Sequence, residues 1–283
     1  MNSRLVTKLV ELIRKTSTEL SPDLIKSIKA AKLKEKKDSI PSYILDTILE
    51  NIRLAKKESL PMCQDTGTLN FYVNYNSKKH DIGKIKSAIM GAVKTATKKY
   101  FLRPNAVNPI TGTNTGNIGA RMPSIKFNEW NKSYLKIDLM LKGGGSENVS
   151  AQYKLPNVGL KAGRDLEGVK KCVIDAVKQA GGKGCTPGII GVCIGGDRAI
   201  GYEEAKKQLF RKVDDKNKNP KLAKLEKELY LGLNKLGIGP MGLGGKTTVL
   251  GVKVTPLHRV PASFFVSVAY MCWACRRKSI VIK

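Results

Sequence analysis

Apolar and polar positions along this chain recur with two different periods, and each period predicts a type of secondary structure. Helical patterns cover residues 3–15, 42–57, 81–101, 164–180 and 202–236, the last with a break near Asn219-Pro220. A further helix is predicted to begin at Ser21-Pro22-Asp23, because proline suits the first helical position. Alternating or continuous apolar runs predict strands over 69–75, 134–141, 188–194, 249–254 and 263–270.

Helices and strands are mixed through the whole chain, which predicts an α/β fold. The 283 residues, of which 41% are hydrophobic, are enough to bury a sizeable core. No internal repeat, low-complexity tract or clear linker interrupts the pattern. We therefore expect a single domain over residues 1–283.

The charge balance is strongly basic. Lys and Arg number 51 against 23 Asp and Glu, which gives a formal net charge of +28. Such a charge suggests nucleic-acid binding. However, the excess is spread along the chain, and aromatic residues amount to only 6%, so few bases could stack on them. A lysine-rich solvated surface is favoured, and an acidic partner subunit or attraction of an anionic substrate remain open explanations.

Signals for secretion or membrane insertion are weak. The N-terminal residues carry charges every few positions, without the apolar segment of a secretory signal. The longest nearly apolar run, Phe264–Cys275, is too short to span a bilayer. Six cysteines in a chain of this length are too sparse for a disulfide scaffold. We expect a cytoplasmic protein without membrane contact, whose cysteines are thiols or metal ligands.

Two glycine-rich stretches resemble nucleotide-binding motifs without meeting their requirements. Residues 237–242 fit the letters G-x-G-x-x-G, but a helix pattern precedes them and a strand pattern follows, the reverse of the dinucleotide-binding order. Gly245-Lys246-Thr247 ends like a phosphate-binding loop, but position 240, where that loop needs glycine, is proline. We interpret both stretches as a glycine-rich turn whose backbone comes close to another group.

The six cysteines differ in their surroundings. Cys172 lies in a helix pattern and Cys193 in a buried-strand pattern, so both are expected to be small hydrophobic core residues. Cys272 and Cys275 form a lone C-x-x-C, which is a weak zinc or redox signal because no second pair and no nearby histidine accompany it.

Three cysteines have more unusual neighbours: Cys63 in PMCQDTG, Cys185 in GGKGCTPG, and Cys272 just before Trp273. Each of them alone is more simply explained as a structural residue. Together, three thiolates from distant segments can hold three irons of a 4Fe–4S cluster and leave the fourth iron as a Lewis acid. Glycines beside the ligands let backbone N–H groups approach cluster sulfides and substrate carboxylates.

Six stretches in this order carry a family resemblance: LPMCQDTGT (60–68), LRPNAVNP (102–109), KGGGSENVS (142–150), GCTPGIIGVCIGG (184–196), GIGPMGLGGKTT (237–248) and HRVPASFFVSVAYMCWACRR (258–277). They closely resemble the alpha subunit, or N-terminal domain, of class I fumarate hydratases and the related L-tartrate dehydratase alpha subunit. The match covers most of the chain. It implies mixed sheets surrounded by helices, a 4Fe–4S cluster, and reversible hydration of fumarate to malate or dehydration of a close hydroxy acid.

The resemblance assigns the cluster ligands. The positions that match the family's three cysteines are Cys63, Cys185 and Cys272, and Cys275 is then a bystander. The iron without a protein ligand is expected to bind the hydroxyl and one carboxylate of the substrate.

The resemblance also implies residues that face the substrate. Gln64 and Asp65 are expected to line the active site, with Asp65 taking part in proton transfer. Without the resemblance, a turn-capping role would be favoured for Asp65 in Asp-Thr-Gly. Arg103 is expected to pair with a substrate carboxylate, and the backbone of Gly144 and Gly145 to approach the substrate.

The family places a histidine near the site, shortly before the third cysteine ligand. His258 is the only histidine in that stretch, so we predict a catalytic role for it. Val260 is the alternative occupant of the equivalent position.

Partners follow from the same resemblance. Single-chain family members carry a second domain that supplies further active-site residues, and this sequence ends at Lys283 after the third ligand segment. We therefore expect the alpha half of a two-subunit enzyme, completed by a beta subunit, in an α2β2 assembly or a homodimer of alpha chains. The substrate is expected to be a C4 dicarboxylate, fumarate or L-tartrate, and mesaconate, the methyl-substituted C5 analogue of fumarate, is also open. The alternative from a different class is a basic iron–sulfur or zinc-binding module for nucleic acid, which is the disfavoured partner.

Overall fold

Helices and strands are mixed along the whole chain, as the apolar pattern predicts. The computed structural model describes residues 3–283 and contains two four-stranded sheets. The helices are α1 (Ser3–Thr18), α2 (Pro22–Lys32), α3 (Ile40–Glu58), α4 (Ile82–Lys98), α5 (Gly144–Asn148), α6 (Leu166–Ala180), α7 (Arg198–Gln208) and α8 (Pro220–Asn234). The strands are β1 (Thr68–Tyr75), β2 (Ser124–Glu129), β3 (Leu135–Lys142), β4 (Ala151–Lys154), β5 (Gly188–Ile194), β6 (Val249–Pro256), β7 (Phe265–Met271) and β8 (Arg276–Ile282). Both sheets mix parallel and antiparallel pairs, which confirms the α/β prediction.

The chain forms two compact units. The first consists of the described residues up to Ser21 together with Glu50–Gly144 and Arg276–Lys283, and the second of Pro22–Leu49 and Gly145–Cys275. Each unit contains one of the two sheets. The expectation of a single domain over the whole chain stays a prediction.

The sheet of the first unit has the strand order β2-β1-β3-β8. Every second residue of β3 from Leu135 to Leu141 is apolar and buried, so one face of the sheet is hydrophobic. Apolar stripes of α1 and α4 pack against this face. The core that results includes Leu9, Ile13, Phe71, Ile89, Val93 and Ile137.

The sheet of the second unit has the strand order β4-β7-β5-β6. β5 is buried at every position, as expected of its continuous apolar run. The shared core joins this sheet to α6 and α8, and α7 lies against β5 and β7. The core of the second unit includes Val173, Val177, Val192, Leu229, Val252 and Val268.

Polar caps explain where several helices begin. Asp165 caps α6 by accepting a hydrogen bond from the backbone N–H of Gly168. Asn219 caps α8 in the same way, and Pro220 occupies the first turn. This cap and proline account for the predicted break near Asn219-Pro220, where the segment 202–236 divides into α7 and α8.

Four short elements were not predicted from the sequence: β2, α5, β4 and β8. β2 and β8 are the edge strands of the first sheet, and β4 is an edge strand of the second. β2 has no fully buried residue and β4 has only four residues, so both give a weak apolar signal. β8 begins with the charged run Arg276, Arg277 and Lys278, yet Arg276 is only 1% exposed.

The helices carry polar or charged side chains over part of their surface. The longest helix, α3, has 19 residues and ends with Lys56 and Lys57 in its last turn. Of the helices described between residues 3 and 283, none combines the length and apolar character needed to cross a bilayer.

Close packing of β5 against α7 generates the first prediction. A Cβ added at Gly191 would lie 2.1 Å from the carbonyl oxygen of Ala205, so the Gly191→Ala side chain forces the strand and helix apart. We expect this variant to lower the free energy of unfolding by about 1–3 kcal/mol, measured by urea unfolding. The matched control is Gly232→Ala in α8, where a Cβ meets no atom within 4 Å. The control should gain about 0.5–1 kcal/mol, and equal stabilities of the two variants would contradict this packing.

Candidate active site

The second unit brings two of the three candidate cluster ligands together. β5 and β7 are antiparallel, with Ile189 opposite Met271. Cys185 precedes β5 and Cys272 follows β7, so both lie at the same end of the sheet. The backbone N–H of Trp273 donates to the carbonyl oxygen of Cys185 at 3.2 Å. This bond ties the two segments that carry the thiols.

Cys185 has an uncommon backbone conformation. It ends a short 3-10 helix, Gly181–Gly184, and has φ 50° and ψ 65°, in the left-handed region that non-glycine residues seldom adopt. Such a conformation persists only where the surroundings impose it, and it is often found at functional sites.

The glycine-rich turn of residues 237–245 supplies those surroundings. Thr186 accepts hydrogen bonds from the backbone N–H of Met241, through its carbonyl oxygen at 2.9 Å, and of Gly242, through Oγ1 at 3.0 Å. A Cβ added at Gly182 would lie 2.9 Å from the Cα of Gly242. The backbone thus approaches another segment closely, which confirms the interpretation of this turn.

Tyr270 lies between the two cysteine segments. Its ring fills the space beside Gly184 and Gly188, where an added Cβ would lie 2.4 Å and 2.6 Å from ring carbons. The residue is 1% exposed, and its hydroxyl has no hydrogen-bond partner within the described chain. Burial, with a contribution from Cys272 and Cys185, raises the pKa of Tyr270 above its ordinary value. A buried hydroxyl left without a partner costs about 1–3 kcal/mol, so this group needs an explanation.

Residues 145–150 are hydrogen-bonded to the end of β7 and to Cys272. The backbone N–H of Cys272 donates to Oγ of Ser146 at 3.2 Å, and that of Tyr270 to Oγ of Ser150 at 3.1 Å. Gly145 is exposed, and an added Cβ there would lie 3.9 Å from the carbonyl oxygen of Lys183. The structure therefore places Gly145 beside the segments that carry Cys185 and Cys272.

The remaining ligand candidate, Cys63, belongs to the first unit and lies between α3 and β1. Its position is set by Met62, whose backbone N–H donates to Ser17 at 3.1 Å and whose carbonyl oxygen accepts from Asn51 at 2.9 Å. The Cys63 Sγ lies 3.7 Å from Oε1 of Gln64, which is itself exposed.

Asp65 faces the glycines that follow β3. An added Cβ would lie 2.7 Å from Asp65 Oδ2 at Gly143 and 3.8 Å from it at Gly144. The loop after Asp65 also lies against the end of β3. Gly67 in this loop has φ 73°, and an added Cβ there would lie 2.4 Å from the carbonyl oxygen of Lys142. Glycine at these positions is what allows the carboxylate and the turn to meet.

Arg103 is attached to the same loop through Thr66. The backbone N–H of Arg103 donates to Thr66 Oγ1 at 3.0 Å, and the carbonyl oxygen of Arg103 accepts from Asn117 Nδ2 at 3.0 Å. The Arg103 side chain is exposed. The first unit thus gathers Cys63, Gln64, Asp65, Arg103 and Gly144 near the start of β1 and the end of β3.

His258 lies elsewhere. It follows β6 and its carbonyl oxygen accepts from Gly196, so it lies at the far end of β5 from Cys185 and Cys272. The seven residues of β5 separate the two ends by about 20 Å. β7 runs antiparallel to β5 and carries the chain away from His258 before Cys272. The structure does not bring His258, or the exposed Val260 beside it, together with these two cysteines.

The six cysteines divide by exposure. The three candidate ligands, Cys63, Cys185 and Cys272, are partly exposed. The other three are buried: Cys172, Cys193 and Cys275. Burial raises the pKa of two of these buried thiols, to about 11 for Cys172 and about 12 for Cys193. Thiols of this kind make poor metal ligands, since the thiolate is the binding form.

The side chains that could bind metal bear on whether an iron–sulfur cluster fits this site. Within residues 3–283, no three or more His, Cys, Asp or Glu side chains form a group that could hold a metal ion. In a cluster, each cysteine binds a different iron, so that grouping is not required. Partly exposed thiols, and an unpartnered buried hydroxyl beside Cys185 and Cys272, fit a sulfur-rich group.

Comparison with known proteins identifies the family of the chain. The model of the fumarate hydratase (Fumerase) family matches residues 6–281, so the chain belongs to that family.

The chain is 49% identical, over 99% of its length, to a Geobacillus stearothermophilus protein provisionally named class I fumarate hydratase. It spans about half of that relative, 55%. It is 37% identical over 95% of its length to a Methanocaldococcus jannaschii protein provisionally named L(+)-tartrate dehydratase subunit alpha, of which it covers 94%. It is 32% identical over 98% of its length to L(+)-tartrate dehydratase subunit alpha of Escherichia coli K12, of which it covers 91%.

The sequence does not single out two buried residues, Tyr270 and Arg276, that lie close to candidate site segments. Tyr270 stood in an apolar strand pattern, where a tyrosine is an ordinary core residue. Arg276 stands in the last of the six family-like stretches, where nothing in the sequence marks it as buried. It is buried at the first position of β8, opposite Leu141, and its Nε and Nη1 have no hydrogen-bond partner in the described chain. The only available signal was a charged pair directly after an apolar run.

The division of the cysteines generates the second prediction. In the reduced, cluster-free protein at pH 8, iodoacetamide should modify Cys63, Cys185 and Cys272 first, because the other thiols are buried. Peptide mapping by mass spectrometry measures each rate. Cys172 and Cys193 should become reactive only on unfolding, since burial keeps them protonated. Native labelling of Cys193 as fast as that of Cys63 would contradict the described burial.

Proposed function

We propose that this chain is the cluster-binding alpha part of a class I fumarate hydratase, which interconverts fumarate and L-malate. The observation that carries the proposal is the 49% identity to the Geobacillus class I relative over 99% of the chain. The alpha subunits of L(+)-tartrate dehydratases are less similar, at 37% and 32%.

A second candidate is the alpha subunit of an L-tartrate dehydratase. One observation favours it: the chain covers 94% and 91% of the two tartrate dehydratase alpha subunits, against 55% of the class I relative. Fumarate hydration adds water to a C4 dicarboxylate and tartrate dehydration removes water from one, so the same site chemistry serves either reaction.

As cofactor we propose a 4Fe–4S cluster whose three protein ligands are Cys63, Cys185 and Cys272. The partial exposure of these thiols supports the assignment, in contrast to the burial of the other three cysteines. When bound, such a cluster supplies a Lewis acid at the iron that has no protein ligand.

Residues of this chain transfer the proton and bind the substrate. We assign proton transfer to the Asp65 carboxylate, which faces Gly143 and Gly144. The Gln64 amide and the backbone N–H groups of Gly144 and Gly145 orient the substrate by hydrogen bonds, and Arg103 binds one of its carboxylates with the guanidinium fork. His258 is left out of the assignment because it lies at the far end of β5 from Cys185 and Cys272.

A beta subunit is proposed as the partner that completes the site. Support comes from the relatives that are named alpha subunits and are covered almost fully by this chain. The proposed assembly is α2β2, with a homodimer of alpha chains as the alternative. A beta subunit that supplies further cations fits a dianionic substrate, because each carboxylate needs a charged partner once it leaves water.

The test of the function is a comparison of substrates. The chain is co-expressed with its candidate beta partner, purified without oxygen and reconstituted with iron and sulfide. We expect kcat/KM for fumarate and L-malate to exceed that for L-tartrate by at least about tenfold, a difference of about 1.4 kcal/mol. Higher kcat/KM for L-tartrate would establish the second candidate. Salt-sensitive nucleic-acid binding without either activity would favour the binding-module alternative.

Cluster assembly provides the third prediction. Cys63→Ser, Cys185→Ser and Cys272→Ser should each prevent stable cluster formation, measured as iron and sulfide content after anaerobic reconstitution. The matched control is Cys275→Ser, whose residue is buried and lies within the same C-x-x-C as Cys272. The control should retain the wild-type iron content, and loss of iron in this variant would show that the ligand assignment is wrong.

The role of Asp65 provides the fourth prediction. Asp65→Asn keeps the size of the side chain and removes its capacity to exchange a proton, so kcat should fall about 10²–10⁴-fold with little change in KM. The control is Asp81→Asn in the same unit, since Asp81 caps α4 and asparagine is an equally good cap. If Asp65→Asn raised KM alone, Asp65 would bind the substrate and transfer no proton.

A further inference from the structure

Within the described residues, the buried hydroxyl of Tyr270 is a donor without a hydrogen-bond partner next to the candidate cluster ligands Cys185 and Cys272. Its oxygen lies 3.0 Å and 2.6 Å from the positions that a Cβ would take at Gly184 and Gly188, which places it against the segment that carries Cys185. Tyr270 belongs to β7, and Cys272 directly follows that strand, two residues after Tyr270.

A purely structural role explains the ring but not the hydroxyl. The ring belongs to the core of the second unit and packs over Gly184 and Gly188. Phenylalanine would fill that volume without burying a polar oxygen. The hydroxyl is sealed from solvent and has no protein acceptor in the described chain. An acceptor that arises only when a further group is bound beside it would satisfy it.

We propose that the Tyr270 hydroxyl donates a hydrogen bond to a sulfur atom of the bound cluster, either a cysteine thiolate or an inorganic sulfide. This inference rests on the proposed function, since it needs the cluster. A phenol O–H is a donor at neutral pH, and thiolate and sulfide sulfurs are electron-rich acceptors. Tyr270 is thus a positioning and tuning residue that does not touch the substrate.

The proposed bond has a consequence for the redox behaviour of the cluster. Hydrogen bonds to cluster sulfurs are among the factors that set the reduction potential. A donor stabilises the more negative, reduced form, so it raises the potential and makes oxidation harder. Tyr270 should therefore slow the oxidative loss of iron.

The experiment compares Tyr270→Phe with the wild-type protein, both reconstituted without oxygen. We expect the variant to assemble the cluster with a lower reduction potential by redox titration, and to lose its absorbance in air at least about twofold faster. The matched control is Tyr153→Phe in the same unit, which loses a phenol that donates to Asp175 at 2.8 Å. The control should keep the wild-type potential. Urea unfolding of the cluster-free variants separates packing from tuning, because Tyr270→Phe should be at least as stable as wild type.

The outcomes separate this inference from the proposed function. A wild-type chain that assembles no cluster overturns both. A cluster with the same potential in Tyr270→Phe and wild type overturns the hydrogen bond alone. If the variant does not fold, the test is electron–nuclear double resonance of the reduced wild-type protein, prepared in H2O and in D2O. A coupled exchangeable proton supports the bond, and absence of such a proton overturns it.

Discussion

The antiparallel pairing of β5 with β7 is the constraint on which the candidate site of the second unit depends. The pairing fixes Ile189 opposite Met271, and therefore brings the residues before β5 and after β7 to one end of the sheet. Cys185 and Cys272 meet there although they are distant in sequence. The same pairing sends His258 to the other end, so strand direction decides which chemistry-bearing residues can act together.

Glycine makes the close packing at this end possible. The Tyr270 ring occupies the space that side chains at positions 184 and 188 would fill, and the turn around Gly242 lies against Gly182. In the first unit, Gly143 leaves room for the Asp65 carboxylate in the same way. In both units, therefore, glycine lets a side chain lie directly against the backbone of another segment.

The sequence predicts elements with a strong apolar period and misses those whose burial is decided by distant parts of the chain. β5 is a continuous apolar run, and its bounds, Gly188–Ile194, match the predicted 188–194. β8 was missed because Arg276 begins it, and nothing local shows that this cation is buried. The three candidate cysteines could be singled out in the sequence by their unusual neighbouring residues. The unpartnered hydroxyl of Tyr270 could not, because it depends on the register of β5 and β7.

The account's central claim is that three cysteines of this chain hold a cluster with one iron open to substrate. Electron paramagnetic resonance of the reconstituted, reduced protein with its beta partner tests it most directly, recorded with and without L-malate and L-tartrate. The account predicts a 4Fe–4S signal that changes on addition of one of these ligands. Absence of a cluster after reconstitution, or a cluster signal unaffected by both ligands, would contradict it.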